Sequence, residues 1–191
     1  NAQRLGDVVQ AVFEPNRGAR RQVTDPDYGI PFLSSSEVFE LDPRGGYLIS
    51  KRLTPNLDRL LVSETDLLLP RSGQVGGIIG RAVLPVPTCY GYSASEHLVR
   101  VRCHSTDDAH FLWAVFASEP GYFAAIGTAY GSSIPSLDCQ LIADLHVPWS
   151  DAGLRGEIAA KVGANVAALA EAILAERKAV SLVEQAIEGA A

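Results

Sequence analysis

Several short runs in this chain approach catalytic motifs, and each lacks the context its chemistry needs. Asp25-Pro26-Asp27-Tyr28 differs by one acid from the Asp-Pro-Pro-Tyr tetrad of amino-methyltransferases. No glycine-rich strand-to-helix turn is present to hold a methyl donor, so the tetrad is expected to be a turn. Pro26-Asp27 with Glu176-Arg177-Lys178 has the residue types of a metal-dependent nuclease, but its second half falls on a long helical arm that cannot share a strand-based site. Gly73, Gly76, Gly77 and Gly80 make neither GxGxxG nor GK[ST], which excludes those nucleotide-binding loops. His97, His104, His110 and His146 show neither HExxH nor a Cys/His ligand spacing, and no serine sits in a GxSxG elbow. The expectation is a chain with no catalytic residues, no metal ligands and no cofactor of its own.

What remains is a set of basic and polar clusters in turn-rich segments. Arg17, Arg20 and Arg21 lie within five residues, and Lys51-Arg52 closes a predicted strand. Asp66–Gly73 runs from a strand into a glycine-rich loop that carries Arg71, Ser72 and Gln74, with Arg81 beyond it. Tyr90–His97 and Tyr130-Gly131-Ser132-Ser133 are two further polar loops. Arginine matches phosphates and guanine edges with two parallel donors, while Ser, Gln and Tyr can contact either phosphates or bases.

Composition limits what such clusters can be. Sixteen Lys+Arg against twenty-two Asp+Glu give a net charge of −6 over 191 residues, which excludes a uniformly basic surface. Residues 1–150 hold 12 basic and 16 acidic side chains, and residues 151–191 hold 4 and 6, so a polyanion site must be concentrated in a few loops. Three cysteines without CxxC spacing argue against a disulfide framework or a zinc ribbon and make the reducing cytoplasm the default. No run of about 18 consecutive apolar residues predicts a membrane span, and no leader of signal-peptide character opens the chain. The Asn1-Ala2 start and the lack of methionine suggest a cloning remnant on a piece of something longer.

The elements expected to position these residues fall into two parts, 1–150 and 151–191. In the first, Tyr47–Leu53, Leu67–Leu69, Ile78–Leu84, His97–Cys103 and Leu141–Val147 are short apolar or alternating runs bounded by breakers, and read as strands. Asp107–Ser118 has helical spacing, with Asp107 or Thr106 as cap and Pro120-Gly121 as its stop. Pro15–Ile30 reads as a long surface loop. From Ser150 or Asp151 a single helix of about 50 Å is expected. Val162, Val166, Leu169, Ile173, Val180, Val183 and Ile187 recur at steps of three and four, broken by Glu176, and Gly189 ends the helix. A domain of about 150 residues spans only some 30–40 Å. The far end of the helix should therefore overhang and seek another helix, as a coiled-coil arm. The fold class is α+β, a strand-rich domain followed by a long C-terminal helix.

Taken in order, these pieces resemble one recognition domain of a type I restriction–modification specificity subunit. The resemblance runs through Tyr28–Ser34, Asp66–Gly73, Ser95–Arg100, Tyr130–Pro135 and Leu141–Pro148 into the alanine-rich helix ending Val183–Ile187, roughly residues 4–188. It implies a target recognition domain (1–150) that reads double-stranded DNA without catalysing anything. It further implies a helical arm (151–191) that pairs with a second such helix, as a homodimer or with a second recognition half. Partner subunits would bring adenine methylation with S-adenosylmethionine and ATP/Mg-driven cleavage. A complete subunit holds two domains and two helices, so the chain is expected to be an excised half, a natural half-subunit or the tail of a fused methyltransferase–nuclease. On this reading Arg71, Ser72 and Gln74 touch DNA directly, and Arg17, Arg20, Arg21, Lys51, Arg52 and Arg81 grip its backbone. Tyr130, Ser132 and Ser133 serve DNA or packing. The competing expectation is a protein-interaction module in which the helix is the working part.

Overall fold

In the computed structural model, which describes residues 2–131, 133–149 and 151–189, the chain opens with β1 (Ala2–Arg4), a turn of helix α1 (Leu5–Val8) and β2 (Ala11–Phe13). The arginine-rich stretch that follows leads to β3 (Gln22–Val23), β4 (Gly29–Leu33), a 3-10 turn at Glu37–Phe39 and β5 (Tyr47–Ser50). Next come the helical turn α2 (Leu57–Leu60), β6 (Asp66–Pro70), a 3-10 turn at Pro87–Cys89, β7 (Ser93–Ala94) and β8 (Leu98–Arg102). Helices α3 (Thr106–Ala117) and α4 (Glu119–Ile126) precede β9 (Ala129–Tyr130), β10 (Ser136–Leu137), α5 (Cys139–Asp144) and β11 (His146–Pro148). The last element, α6, spans Ala152–Glu188. The fold is α+β with a long C-terminal helix.

Two sheets carry the domain, ordered β2–β8–β6 and β3–β5–β4–β7, with β4 and β7 parallel and every other pair antiparallel. All five residues of β6 are buried, which explains its unbroken apolar run. Successive side chains point to opposite faces. Leu67 and Leu69 therefore join Val99, Val101, Phe111, Leu112 and Phe116 in one core, while Leu68 joins Leu33, Val62 and Leu98 in another.

On the same face of β8 as Leu98 lies Arg100, fully buried. Its guanidinium donates to the carbonyl oxygens of Ser95, Leu98, Leu60 and Ala94 at 2.9–3.3 Å, and burial pushes its pKa down to about 10. Beside it, buried Asp66 accepts two bonds from Arg102, at 2.8 and 3.0 Å.

Four expectations give way here. Ile78–Leu84 is a series of turns joined to the sheet by one bridge, Leu68 to Val83, because Gly76 (φ 85°) before it and Gly80 (φ 69°) within it turn the chain. Leu141–Val147 is divided between α5 and β11. The Asp138 carboxylate accepts from the N–H groups of Gln140 and Leu141 and so starts a helix where the apolar run alone reads as a strand. Pro120-Gly121 starts α4 rather than stopping α3, since proline is tolerated in a first helical turn. Gly121 is needed there, because a Cβ would stand 1.9 Å from the Val115 carbonyl oxygen. The cap of α3 is Ser105, one residue before Thr106.

Asp151 caps α6, its side chain accepting from the Leu154 N–H at 3.1 Å; Ser150 lies outside the described residues. The helix is about 55 Å long. It crosses α3 where Gly163 faces His110, so closely that a Cβ would lie 3.0 Å from the ring nitrogen. Ile158 packs beside the first core, and Leu169 and Ile173 enter the second. The Arg177 guanidinium then clasps Asp42, with Nε 3.0 Å from Oδ1.

This corrects the assignment of the seam to a partner helix. Val162 and Ile173 are buried against the chain's own domain, and Val166 and Leu169 are half-buried there. Beyond Arg177 the same helical face continues uncovered through Val180, Val183 and Ile187, which are 47%, 60% and 66% exposed. By length and composition alone α6 is also apolar enough to cross a membrane, its most apolar window averaging a hydropathy of 1.6. The requirement for an unbroken apolar run passed over it because Gly163, Asn165 and Glu171 interrupt the sequence.

The α3–α6 contact is expected to weaken in mild acid. Burial lowers the pKa of His110, with the Asp107 charge opposing the shift. A depressed folded pKa gives stability that is complete above the ordinary value of about 6.5 and lost as pH falls through the folded value. Hydrogen-exchange protection factors along 158–170, corrected for the intrinsic rate at each pH, should therefore fall between pH 7.5 and 5.5, and His110→Leu should flatten that dependence. Equal protection of wild type at both pH values would contradict this.

Candidate nucleic-acid interface

Residues 13–21 and 50–59 run side by side in opposite directions. The Arg59 guanidinium lies 4.9 Å from the centre of the Phe13 ring, Gly18 is so near Pro55 that a Cβ would sit 3.2 Å from the proline ring, and the Ser50 N–H donates to the Arg21 carbonyl at 2.8 Å. Together these two segments hold six cations (Arg17, Arg20, Arg21, Lys51, Arg52 and Arg59) against two carboxylates, Glu14 and Asp58, within a chain of net charge −6. A basic ribbon therefore exists on an acidic protein, assembled from two segments that meet across 29 to 46 positions of sequence.

The six are not equivalent. Arg17, Arg21 and Arg52 are exposed, and among the described residues none of them enters an ion pair. Lys51 is exposed and donates to the Asp27 carbonyl at 3.0 Å. Arg20 is turned inward: it pairs with buried Glu96 at 3.2 Å, lies over the Phe32 ring at 4.6 Å and donates to the Tyr47 hydroxyl at 3.4 Å. That guanidinium anchors the loop, which alters the role expected of Arg20. Arg59 was missed in the sequence, where it stands alone seven residues after Arg52; only its seat on Phe13 places it with the others.

Arg71 and Ser72 meet the second predicted loop. Arg71 pairs with Glu14 at 2.8 Å and donates to the Tyr130 hydroxyl at 3.3 Å, and the Ser72 and Ser136 hydroxyls are 2.7 Å apart. Backbone bonds from the Leu137 N–H to the Arg71 carbonyl and from the Gly73 N–H to the Pro135 carbonyl hold the two loops together. Through Glu14 this cluster is continuous with the ribbon. Gln74 and Ser133 are exposed beside it, and Ser132 lies outside the described residues.

Arg81 does not join. It lines an open cleft of about 600 Å³ with Phe39, Glu119, Tyr122 and Phe123. The polar run Tyr90–His97 is largely interior: Ser93, Ser95 and Glu96 are buried, and the run supplies acceptors to Arg100 and Arg20. Burial pushes Cys89 up to about 11 and Cys103 up to about 12, so both thiols stay protonated near neutrality. Among the described residues no group of three or more His, Cys, Asp or Glu side chains could hold a metal ion.

No protein-family model and no curated protein matches the chain. Its fold is similar to that of the HsdS subunit from Thermoanaerobacter tengcongensis, with a TM-score of 0.57 and 14% identity, over 99% of this chain and 44% of that one. The type I restriction–modification system S subunit from M. genitalium matches with a TM-score of 0.48 and 11% identity, over 84% of this chain and 37% of that one. The chain thus spans less than half the length of the solved structures it matches. Across nearly its whole length, this chain has the fold of one part of an HsdS subunit.

Proposed function

We propose that this chain is a DNA-reading module of a restriction–modification specificity subunit, binding one half of a split duplex target. The observation that carries the reading is the basic ribbon, set on an acidic chain whose fold is that of an HsdS subunit. Residues up to about 150 are the target recognition domain and the remainder is the arm. The ribbon grips phosphates, which positions the domain, and the adjoining Arg71–Tyr130 cluster faces the bases, which specify the target. The chain contributes no catalysis. A DNA adenine methyltransferase subunit and an ATP-driven nuclease supply the chemistry, with S-adenosylmethionine and ATP/Mg bound on those partners.

We place the protein in the cytoplasm and off the membrane, since the apolar face of α6 is occupied from Ile158 to Ile173 by the chain's own cores, and Glu157, Lys161, Glu171 and Lys178 stand on its exposed sides. Selection from a randomised duplex library tests the reading: an enriched motif of a few base pairs is expected. Absence of any duplex binding at low salt by the folded chain overturns it and leaves the protein-interaction alternative.

The uncovered tip of α6 joins two copies, or this copy to a second recognition half, by pairing with another helix. Because Ile173 and Leu169 belong to the domain's own core, aspartate there would damage folding. The informative pair is Val183→Asp with Ile187→Asp. The doubly substituted chain is expected to sediment as a monomer while unfolding at the wild-type temperature. Unchanged sedimentation relative to a dimeric wild type would exclude the tip as the contact.

A further inference from the structure

The tetrad Asp25-Pro26-Asp27-Tyr28 has no methyl-donor site beside it, yet it forms a well-defined display. The Asp27 N–H donates to the Asp25 carboxylate at 2.9 Å, the Tyr28 N–H to the Asp25 carbonyl at 3.2 Å, and the Gly29 N–H to the Pro26 carbonyl at 3.3 Å. These bonds hold the turn in one shape and leave Tyr28 at its tip, 68% exposed.

Pairing of β4 with β5 puts Gly29 opposite Ser50, so the turn faces the segment that carries Lys51 and Arg52. The Lys51 N–H donates to the Tyr28 carbonyl at 2.9 Å, and its ammonium bonds the Asp27 carbonyl. Between turn and segment is an open hollow of about 370 Å³, lined by Asp27, Tyr28, Ser50, Lys51, Arg52 and Leu53. Leu53, on its wall, is 54% exposed.

A large aromatic ring left in water on a braced turn, sharing its hollow with an exposed leucine and with two cations against the single carboxylate of Asp27, has the properties of a seat for a nucleobase. The ring offers a face for stacking at little ordering cost, and the two cations lining the same hollow supply charge for the phosphates on either side of an unstacked nucleotide. We infer that this hollow receives one unstacked base of the bound DNA, with Tyr28 against its face and Lys51 and Arg52 on the flanking phosphates. The inference rests on the DNA-binding reading and adds to it a base-contacting residue outside the Arg71–Tyr130 cluster.

The test uses the full chain and a random-sequence duplex pool at low salt, with a second pool carrying 5-iodouracil for photochemical cross-linking. Wild type is expected to cross-link through the peptide containing Tyr28. Tyr28→Ala should lose that cross-link and bind roughly five- to 150-fold more weakly at an unchanged salt slope. Tyr28→Phe should keep both, whereas Lys51→Ala and Arg52→Ala should each lower the slope by about 0.9. Tyr28 is exposed, so unchanged thermal unfolding confirms that the variants are folded. Wild-type affinity in Tyr28→Ala, cross-links elsewhere, or equal loss in the phenylalanine variant overturns the base seat and leaves the DNA reading standing. Failure of wild type to bind either pool overturns both.

Discussion

Replacing Arg100 with methionine is expected to destabilise the domain by several kcal/mol, about 1–3 kcal/mol for each buried carbonyl left without a donor, less the desolvation that is relieved. The side chain is fully buried on β8 and serves four carbonyl oxygens from three stretches of chain: the end of α2, β7 with the residue after it, and the start of β8 itself. Methionine fills much of the volume but donates nothing, so those carbonyls lose charge-assisted bonds worth about 1.5–3 kcal/mol each. Relief of the guanidinium's desolvation, visible in its depressed pKa, offsets part of that loss. Against a typical total stability of about 5–15 kcal/mol, the variant is marginal. Chemical denaturation monitored by the near-ultraviolet signal of Trp113 and Trp149 would measure it. A cost below about 1 kcal/mol would mean that the carbonyls find other donors.

Substituting Arg17, Arg21, Lys51 and Arg52 together by alanine is expected to abolish most DNA affinity without disturbing the fold. With Arg59 these four make five phosphate contacts available on the ribbon, which corresponds to a slope of log affinity against log salt of about −4.5. Removing four should leave a slope near −0.9, and at about 50 mM salt each lost contact weakens binding by roughly tenfold. The four side chains are exposed, so unfolding should be unchanged. Arg20→Ala is the contrasting variant. It leaves buried Glu96 without its ion pair, so stability should fall while the salt slope stays near −4.5. Retention of the wild-type slope by the quadruple variant would place the DNA on another face.

Much of the fold was legible because its periodicities are strong. The continuous apolar run of β6, the alternation in β8, the aromatic stripe of α3 and the three-four spacing of α6 each appear within a residue or two of where the pattern puts them. Short apolar runs were not legible. At Leu141–Val147 one side-chain cap at Asp138 decided for a helical turn, and at Pro120 the same residue type that ends helices began one. The candidate site was legible only in parts. Adjacent cations announced Arg17, Arg21, Lys51 and Arg52 as clusters, but nothing in the spacing joined the two clusters, turned Arg20 inward, separated Arg81 or added Arg59.

From sequence alone follow the types of the strongly periodic elements, the acidic balance, the lack of recognisable catalytic motifs and a helix too long for its domain. Tertiary structure alone decided which surfaces meet. Apolar burial is non-directional, so an aliphatic stripe is satisfied equally by its own domain or by another helix, and only the crossing of α3 at Gly163 and the Arg177–Asp42 clasp divide α6 into a covered length and a free tip. Charge interactions fall off with distance and with exposure to water. Whether an arginine holds the fold or faces a polyanion therefore depends on which carboxylates the folded chain brings within reach.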